Sequence, residues 1–248
     1  MSTEFLNMGL PVKFEGYRNA DCRSVFTFFD DFISYHGGAI DVVKWLETET
    51  AGTITSMEAT DGEQEFAGGI VALTTEATST DIVAMTVNGE HFQIDQGYPL
   101  YYECRYSCTN TGYSGAFLGL TDFDVAQDAF RAPDSPAIGF KPNEDKMDVV
   151  TVNAGGTKTS ADLKTIADSI WYRLAFYYDG DDTVTFYMAT ADGAFVPLVS
   201  RSLDLTTDYV PQDLMMSVNF TNECFVAGAS TMYVDYVLVQ QARCLAPE

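Results

Sequence analysis

Apolar and polar residues alternate with a period of two along nearly the whole chain, which confines it to strands that present opposite faces of a sheet. The clearest instance flanks the turn Asp179-Gly180-Asp181-Asp182. Before it, Tyr172, Leu174, Phe176 and Tyr178 alternate with Arg173, Ala175 and Tyr177; after it, Val184, Phe186 and Met188 alternate with Thr183, Thr185 and Tyr187. Opposed residues of an antiparallel pair share a face. Matching the apolar rows therefore pairs Tyr178 with Val184, Phe176 with Phe186 and Leu174 with Met188. That register leaves a loop of three or five residues, as a Gly-containing turn with a bulge provides. An even-numbered loop would set Phe176 opposite Thr185 and break the core.

Strand-like runs recur at 25–29, 42–50, 52–57, 70–75, 82–87, 99–106, 116–121, 137–141, 147–153, 171–178, 183–189, 195–201, 215–220 and 231–240, punctuated by Gly, Asp, Asn and Pro. The helical period is nearly absent, with room for one short helix at 121–130 and one at 160–168. So many short strands predict an all-β chain folded as a two-sheet sandwich or barrel. Within 215–220 the inward row is Met216, Val218 and Phe220. In the last run Met232, Val234, Tyr236 and Leu238 face one way, and Tyr233 and Asp235 the other. An apolar strand so near the C-terminus is expected to be locked inside a sheet. Residues 1–24 show no period and read as an N-terminal arm or irregular lead-in, 25–242 as a single β-sandwich domain, and 243–248 as a tail.

The 248 residues include 36 acidic and 13 basic side chains, a formal net charge of −23. That imbalance leaves no basic footprint for phosphates and argues against binding nucleic acid or an anionic membrane. A hydrophobic fraction of 46% argues against global disorder. The first residues, Met1 to Met8, lack the basic and apolar regions of a secretory signal, and no apolar run approaches the ~18 residues that span a bilayer. The expectation is a soluble protein made in a cytoplasm. Of the five cysteines (Cys22, Cys104, Cys108, Cys224, Cys244), Cys104 and Cys108 lie in one predicted strand. At ~3.3 Å per residue they are roughly 13 Å apart, too far for a disulfide. Reduced, mostly buried thiols are expected.

Few residues point to chemistry. His36 and His91 each stand among turn residues and are too few for a histidine-rich metal centre. Gly112-Tyr113-Ser114-Gly115-Ala116 misses the nucleophile-elbow spacing, and Gly155-Gly156-Thr157-Lys158-Thr159 lacks the glycines of a phosphate loop. Glycan cleavage needs paired carboxylates across a groove. Glu47/Glu49 and Asp122/Asp124 have strand spacing for this, but the Glu-x-Asp-x-x-Glu string of sandwich glucanases is absent. No catalytic residue is assigned, and a non-enzymatic role is expected. Asp179, Asp181 and Asp182 surround a glycine and could donate part of a calcium shell, as could Asp122, Asp124 and Asp128; aspartate's aptitude for turns is the simpler account. No cofactor is implied. The sequon Asn219-Phe220-Thr221 falls inside a predicted strand. Tyr113, Tyr177, Tyr187 and Tyr233 fall in loops or on outward rows, suiting a protein interface or, less readily, a sugar ring.

Several strings carry a resemblance. They run from Phe28-Phe29-Asp30-Asp31-Phe32 and Lys44-Trp45 through Gly69-Ile70-Val71-Ala72-Leu73, Asn88-Gly89-Glu90-His91-Phe92, Pro99-Leu100-Tyr101-Tyr102-Glu103 and Phe176-Tyr177-Tyr178-Asp179-Gly180 to Tyr233-Val234-Asp235-Tyr236-Val237. Over roughly residues 25–242 the chain resembles a family of tailed-bacteriophage virion structural proteins with an antiparallel, concanavalin A-like jelly-roll sandwich. The resemblance implies a capsid decoration (cement) protein on the outside of the head shell, synthesised in the host cytoplasm. It also implies a homo-oligomer, a trimer being favoured, with the major capsid protein or neighbouring virion proteins as partners. Lys13, Arg18 and Arg23, in the segment outside the resemblance, would then be the docking arm, an assignment made from location and charge contrast. A carbohydrate-binding module of a fibre or host-recognition component is the alternative the same sandwich allows.

Overall fold

The computed structural model describes residues 25–33, 37–38, 44–57, 69–78, 81–122, 136–154, 156–190, 193–204, 206–224 and 228–242. They form two sheets packed face to face. The first runs β15 (Val196–Ser202), β14 (Thr183–Thr190), β13 (Tyr172–Tyr178), β8 (Leu100–Cys108), β17 (Thr231–Ala242), β5 (Ile70–Thr74) and β4 (Thr53–Met57), with β1 (Val25–Asp30) also paired to β17. The second runs β12 (Gly156–Thr165), β11 (Lys146–Asn153), β10 (Ala137–Asn143), β9 (Ser114–Thr121), β16 (Met215–Cys224), β6 (Ile82–Val87), β3 (Trp45–Glu49) and β2 (Gly37–Gly38), with β7 (Phe92–Gln93) also on β16. Among the described residues every pairing is antiparallel except β2 with β3. Runs of consecutive strands (β13 to β15, β9 to β12) are joined by crossovers elsewhere, and the first and last strands meet: β1 lies along β17 from Val25↔Ala242 to Asp30↔Val237. Among the described residues no helix is long and apolar enough to cross a membrane.

The β13–β14 hairpin has the register that its alternation requires, with Tyr178↔Val184, Phe176↔Phe186 and Leu174↔Met188. The turn is closed locally: the Asp179 carboxylate accepts from the backbone N–H of Asp181 at 2.9 Å and of Thr183 at 3.2 Å. Gly180 sits at φ 84°, where a Cβ would also lie 2.7 Å from Pro99 Cδ. Gly180→Ala is therefore expected to lower stability by about 1–3 kcal/mol, read from the urea midpoint. An unchanged midpoint would show that the turn relaxes freely.

Inward rows from both sheets build one core, with Trp45, Tyr102, Tyr106, Phe140, Phe176, Phe186 and Phe220 fully buried. Tyr102 stacks on Phe176 at 4.8 Å, and Phe140 meets Phe186 edge-on at 5.5 Å, the offset geometries that aromatic quadrupoles favour. Strand β16 outruns its predicted end. Its inward row continues from Met216, Val218 and Phe220 to Asn222, whose amide donates to Leu73 O at 2.8 Å and Ser230 O at 3.2 Å. A buried polar side chain is tolerated there because its donors bridge to the opposite sheet's backbone.

Two expectations are overturned. The segment 160–168 is not a helix: it is largely the edge strand β12, whose ladder with β11 slips between Met147 and Val149. Asp162 takes φ 57° there and donates its N–H to Asp148 Oδ1 at 2.8 Å. The bulge interrupts the period of two, and cross-strand pairing decides the segment. In β17 the ladder with β8 shifts between Val234 and Tyr236. Met232 and Val234 point inward as expected, but beyond the bulge Val237 and Val239 take the core positions. Tyr236 and Leu238 are thereby turned to the outer face, against the alternation expected for them.

Candidate functional site

The bulge in β17 brings chemistry onto the outer face of the first sheet. Tyr236 donates its hydroxyl to Glu103 Oε1 at 2.5 Å, Tyr101 donates to Glu103 Oε2, and Arg173 Nη1 lies 3.9 Å from Oε1. Arg105 and Arg173 stand directly opposite in the β8–β13 ladder, an arrangement of like charges that costs energy unless each is compensated. Arg173 faces Glu103, and Arg105 pairs with Asp235 at 2.6 Å. Each guanidinium also lies over a ring, Arg105 4.8 Å from the Trp171 centroid and Arg173 4.7 Å from that of Phe195. Burial pushes the Glu103 carboxyl above the usual carboxylate range, against the opposing pull of the two tyrosine hydroxyls and Arg173. Burial, then the charge of Glu103, drives the Tyr101 and Tyr236 phenols well upward. At 5% exposure Glu103 serves to fasten β17 to β8, and it is not placed to meet a ligand.

A cleft of about 480 Å³ opens at one end of the sandwich, lined by Phe26, Glu90, His91, Gln93, Asp95, Tyr98, Met215, Gln241 and Ala242. That size is within the range of small-molecule sites. The first and last strands contribute Phe26 and Gln241, and the chain around β7 supplies Glu90, His91, Gln93, Asp95 and Tyr98. The Gln241 amide clamps the backbone of Gln93, donating Nε2–H to its carbonyl and accepting its N–H at 3.2 Å. His91 donates its backbone N–H to Met216 O at 2.9 Å, and its ring lies 6.3 Å from Phe26. The β13–β14 turn is stitched to the same wall, Gly97 N–H donating to Gly180 O at 2.6 Å. Burial raises the pKa of the nearby Tyr178 phenol, and the charges of Asp179, Asp95, Asp181 and Asp182 raise it further. The wall is acidic.

Of the aspartates singled out in the sequence, Asp179 is engaged by its own turn and Asp182 accepts from Thr183 Oγ1 at 2.7 Å, and none of them lines the cleft. Among the described residues, no group of three or more His, Cys, Asp or Glu side chains is placed to hold a metal ion. Lys13, Arg18 and Arg23 lie outside the described residues, as do Cys22, Cys244, His36, Asp124 and Asp128. Cys104, Cys108 and Cys224 are buried thiols outside any disulfide among the described residues, and burial pushes Cys104 up to about 12. Glu49 braces the neighbouring chain by accepting the Ile54 N–H at 3.1 Å. Tyr177 is on the outward row as expected, yet it is buried with Tyr101 and Ala175. Sequence reasoning missed Glu103, Tyr98 and Gln241 as parts of either constellation. Tyr101 is two residues from Glu103, but Tyr236 is 133 residues from it and Gln93 is 148 from Gln241, so no local spacing signals either cluster as a whole.

The two-sheet arrangement can be compared with known proteins. No protein family matches the chain, and no curated protein matches it in sequence. Solved structures do match. A protein of unknown function from Shewanella oneidensis MR-1 superposes with a TM-score of 0.61 at 14% identity, over 91% of this chain and 89% of its own. Peanut lectin superposes with a TM-score of 0.58 at 10% identity, over 88% and 97%. The fold is a concanavalin A-like jelly roll. An endo-1,3-β-glucanase from Streptomyces sioyaensis shares the jelly roll at a TM-score of 0.58 and 14% identity, over 92% and 99%. This glucanase corrects the expectation of a non-enzymatic role. The same sandwich, over nearly its whole length, supports catalysis, so a missing Glu-x-Asp-x-x-Glu string does not exclude an enzyme.

Proposed function

We propose that this jelly roll binds carbohydrate, and that the cleft at Phe26, His91 and Tyr98 is the site. The observation that carries the reading is the lining itself. Aromatic faces offer apolar contact to the C–H side of a sugar ring, while Glu90, Gln93 and Asp95 present hydrogen-bonding groups for its hydroxyls. A lectin and a glucanase of the same fold support it, as does the cleft's volume. The test is a broad glycan array probed with the full chain, followed by calorimetry on the best hit. Specific binding is expected, with Tyr98→Ala weakening it roughly tenfold. Shortened glycans in the incubation would identify the site as catalytic, and silence across the array would overturn the proposal.

A second reading is favoured by the string resemblance and by the charge of −23. In it the chain decorates a phage head as an oligomer, docked through Lys13, Arg18 and Arg23, its charge keeping particles apart. Its test is the copy number in purified virions: hundreds would support shell decoration, and absence from particles would dismiss it.

A further inference from the structure

The cleft is amphipathic along one ladder. Strand β7 pairs with the start of β16 so that Met215 stands opposite Gln93, and both residues line the cleft. Opposed residues share a face, so a thioether and a carboxamide stand side by side on the same wall. Met215 is 41% exposed and Leu214, the residue before it, 37%. Of the six exposed large hydrophobics among the described residues, these two are the one adjacent pair, and the pair reaches the cleft through Met215. Its backbone is held on both sides. Met216 O accepts the His91 N–H at 2.9 Å, and Asp213, turned at φ 56°, donates its N–H to Ile94 O at 3.2 Å. Apolar surface kept in water beside hydrogen-bonding groups suits a ligand that has both characters. Methionine is adapted to such contacts, being unbranched, flexible and polarizable at sulfur.

Resting on the carbohydrate reading, we infer that the cleft takes glycosides with an apolar aglycone, an alkyl or aryl group, by the juxtaposition of Gln93 with Met215 and Leu214. The sugar ring meets Gln93 and Tyr98, and the aglycone leaves across Met215 towards Leu214. Covering about two or three methylenes of an alkyl aglycone tightens binding roughly fifteen- to sixtyfold over the methyl glycoside of the same sugar. An aglycone that pointed into solvent would gain nothing from its length.

The experiment is calorimetry of the full chain with the methyl and hexyl β-glycosides of glucose, galactose, mannose and N-acetylglucosamine, and with hexanol as the sugar-free control. At least one hexyl glycoside is expected to bind, more tightly than its methyl counterpart by the factor above. In Met215→Gln, checked for folding by circular dichroism, the hexyl glycoside is expected to weaken several-fold, and more than the methyl one. Leu214→Gln, which precedes the β16 ladder, is expected to act in the same direction and serves if Met215→Gln fails to fold. Equal binding of hexyl and methyl forms, or a hexyl affinity that the folded variants leave unchanged, overturns the inference while the carbohydrate reading stands. Hexanol binding as tightly as the hexyl glycosides overturns it too, since the sugar would then add nothing. If no hexyl glycoside binds, the inference fails whatever the array gives, and a silent array removes the carbohydrate reading as well.

Discussion

Glu103→Ala is expected to lower the unfolding free energy by about 3–5 kcal/mol, read from urea denaturation. The carboxylate accepts hydroxyl hydrogens from Tyr101 and Tyr236 and faces Arg173, and truncation removes that shared acceptor from all three. Because β8 and β17 are adjacent inside one sheet, the loss falls on the strand that also carries β1. A change below about 1 kcal/mol would show that the network contributes little beyond packing. Glu103→Gln keeps the shape and one acceptor oxygen, and separates charge from contact.

The pH dependence of that pair has a definite sign. The carboxyl's pKa is raised in the folded protein by burial, so the native state takes up a proton more readily than the unfolded chain. The charged form therefore weighs against folding above the raised pKa, and that cost disappears as pH falls below the unfolded value. Glu103→Gln lacks this titration. The unaltered protein is expected to gain stability relative to Glu103→Gln as the solution is acidified from neutral, and a pH-independent difference would contradict the assigned burial cost.

Trp45→Ala is the second large expected loss, about 3–5 kcal/mol from the cavity alone. The indole is fully buried among Phe28, Phe32 and Phe220, with centroids 6.0, 5.6 and 5.8 Å away. Its Nε1–H donates to Asp30 Oδ2 at 2.7 Å, and the same carboxylate takes Lys44 at 2.8 Å and the Phe32 N–H at 3.0 Å. Trp45 on β3 and Asp30 on β1 belong to different sheets, so this bond ties the two layers together. Trp45→Phe isolates it and is expected to cost about 1.5–3 kcal/mol, the range for a hydrogen bond to a charged group. Equal losses for Ala and Phe would mean that the bond and not the volume dominates.

The inward rows of β13, β14 and the first half of β17 were legible from alternation because a strand's facing pattern is a local property with a period of two. The same rule misplaced Tyr236 and Leu238. One extra residue at Asp235 inverts every facing beyond it, and nothing in Val234-Asp235-Tyr236-Val237 distinguishes a bulge from a regular strand. The Glu103 network was hidden for the same reason, since its second tyrosine is 133 residues away and reaches the carboxylate only after the bulge. Tyr177 stands on an outward row yet is buried, because large neighbours on adjacent strands cover one another.

The amino-acid sequence by itself determined the class of fold, the residues that shut water out of the hairpin, and the strongly acidic charge of the chain. These depend on the period and charge of neighbouring residues, which a linear chain displays directly. The tertiary structure alone decided that chain segments around residues 26, 90–98, 215 and 241 converge on one cleft, and that the 179–182 turn is hydrogen-bonded to the 95–98 segment through Gly97 and Gly180. That convergence is set by which strands pair and where their ladders slip. Both are settled by contacts between residues far apart in the chain, whose energies no local pattern records.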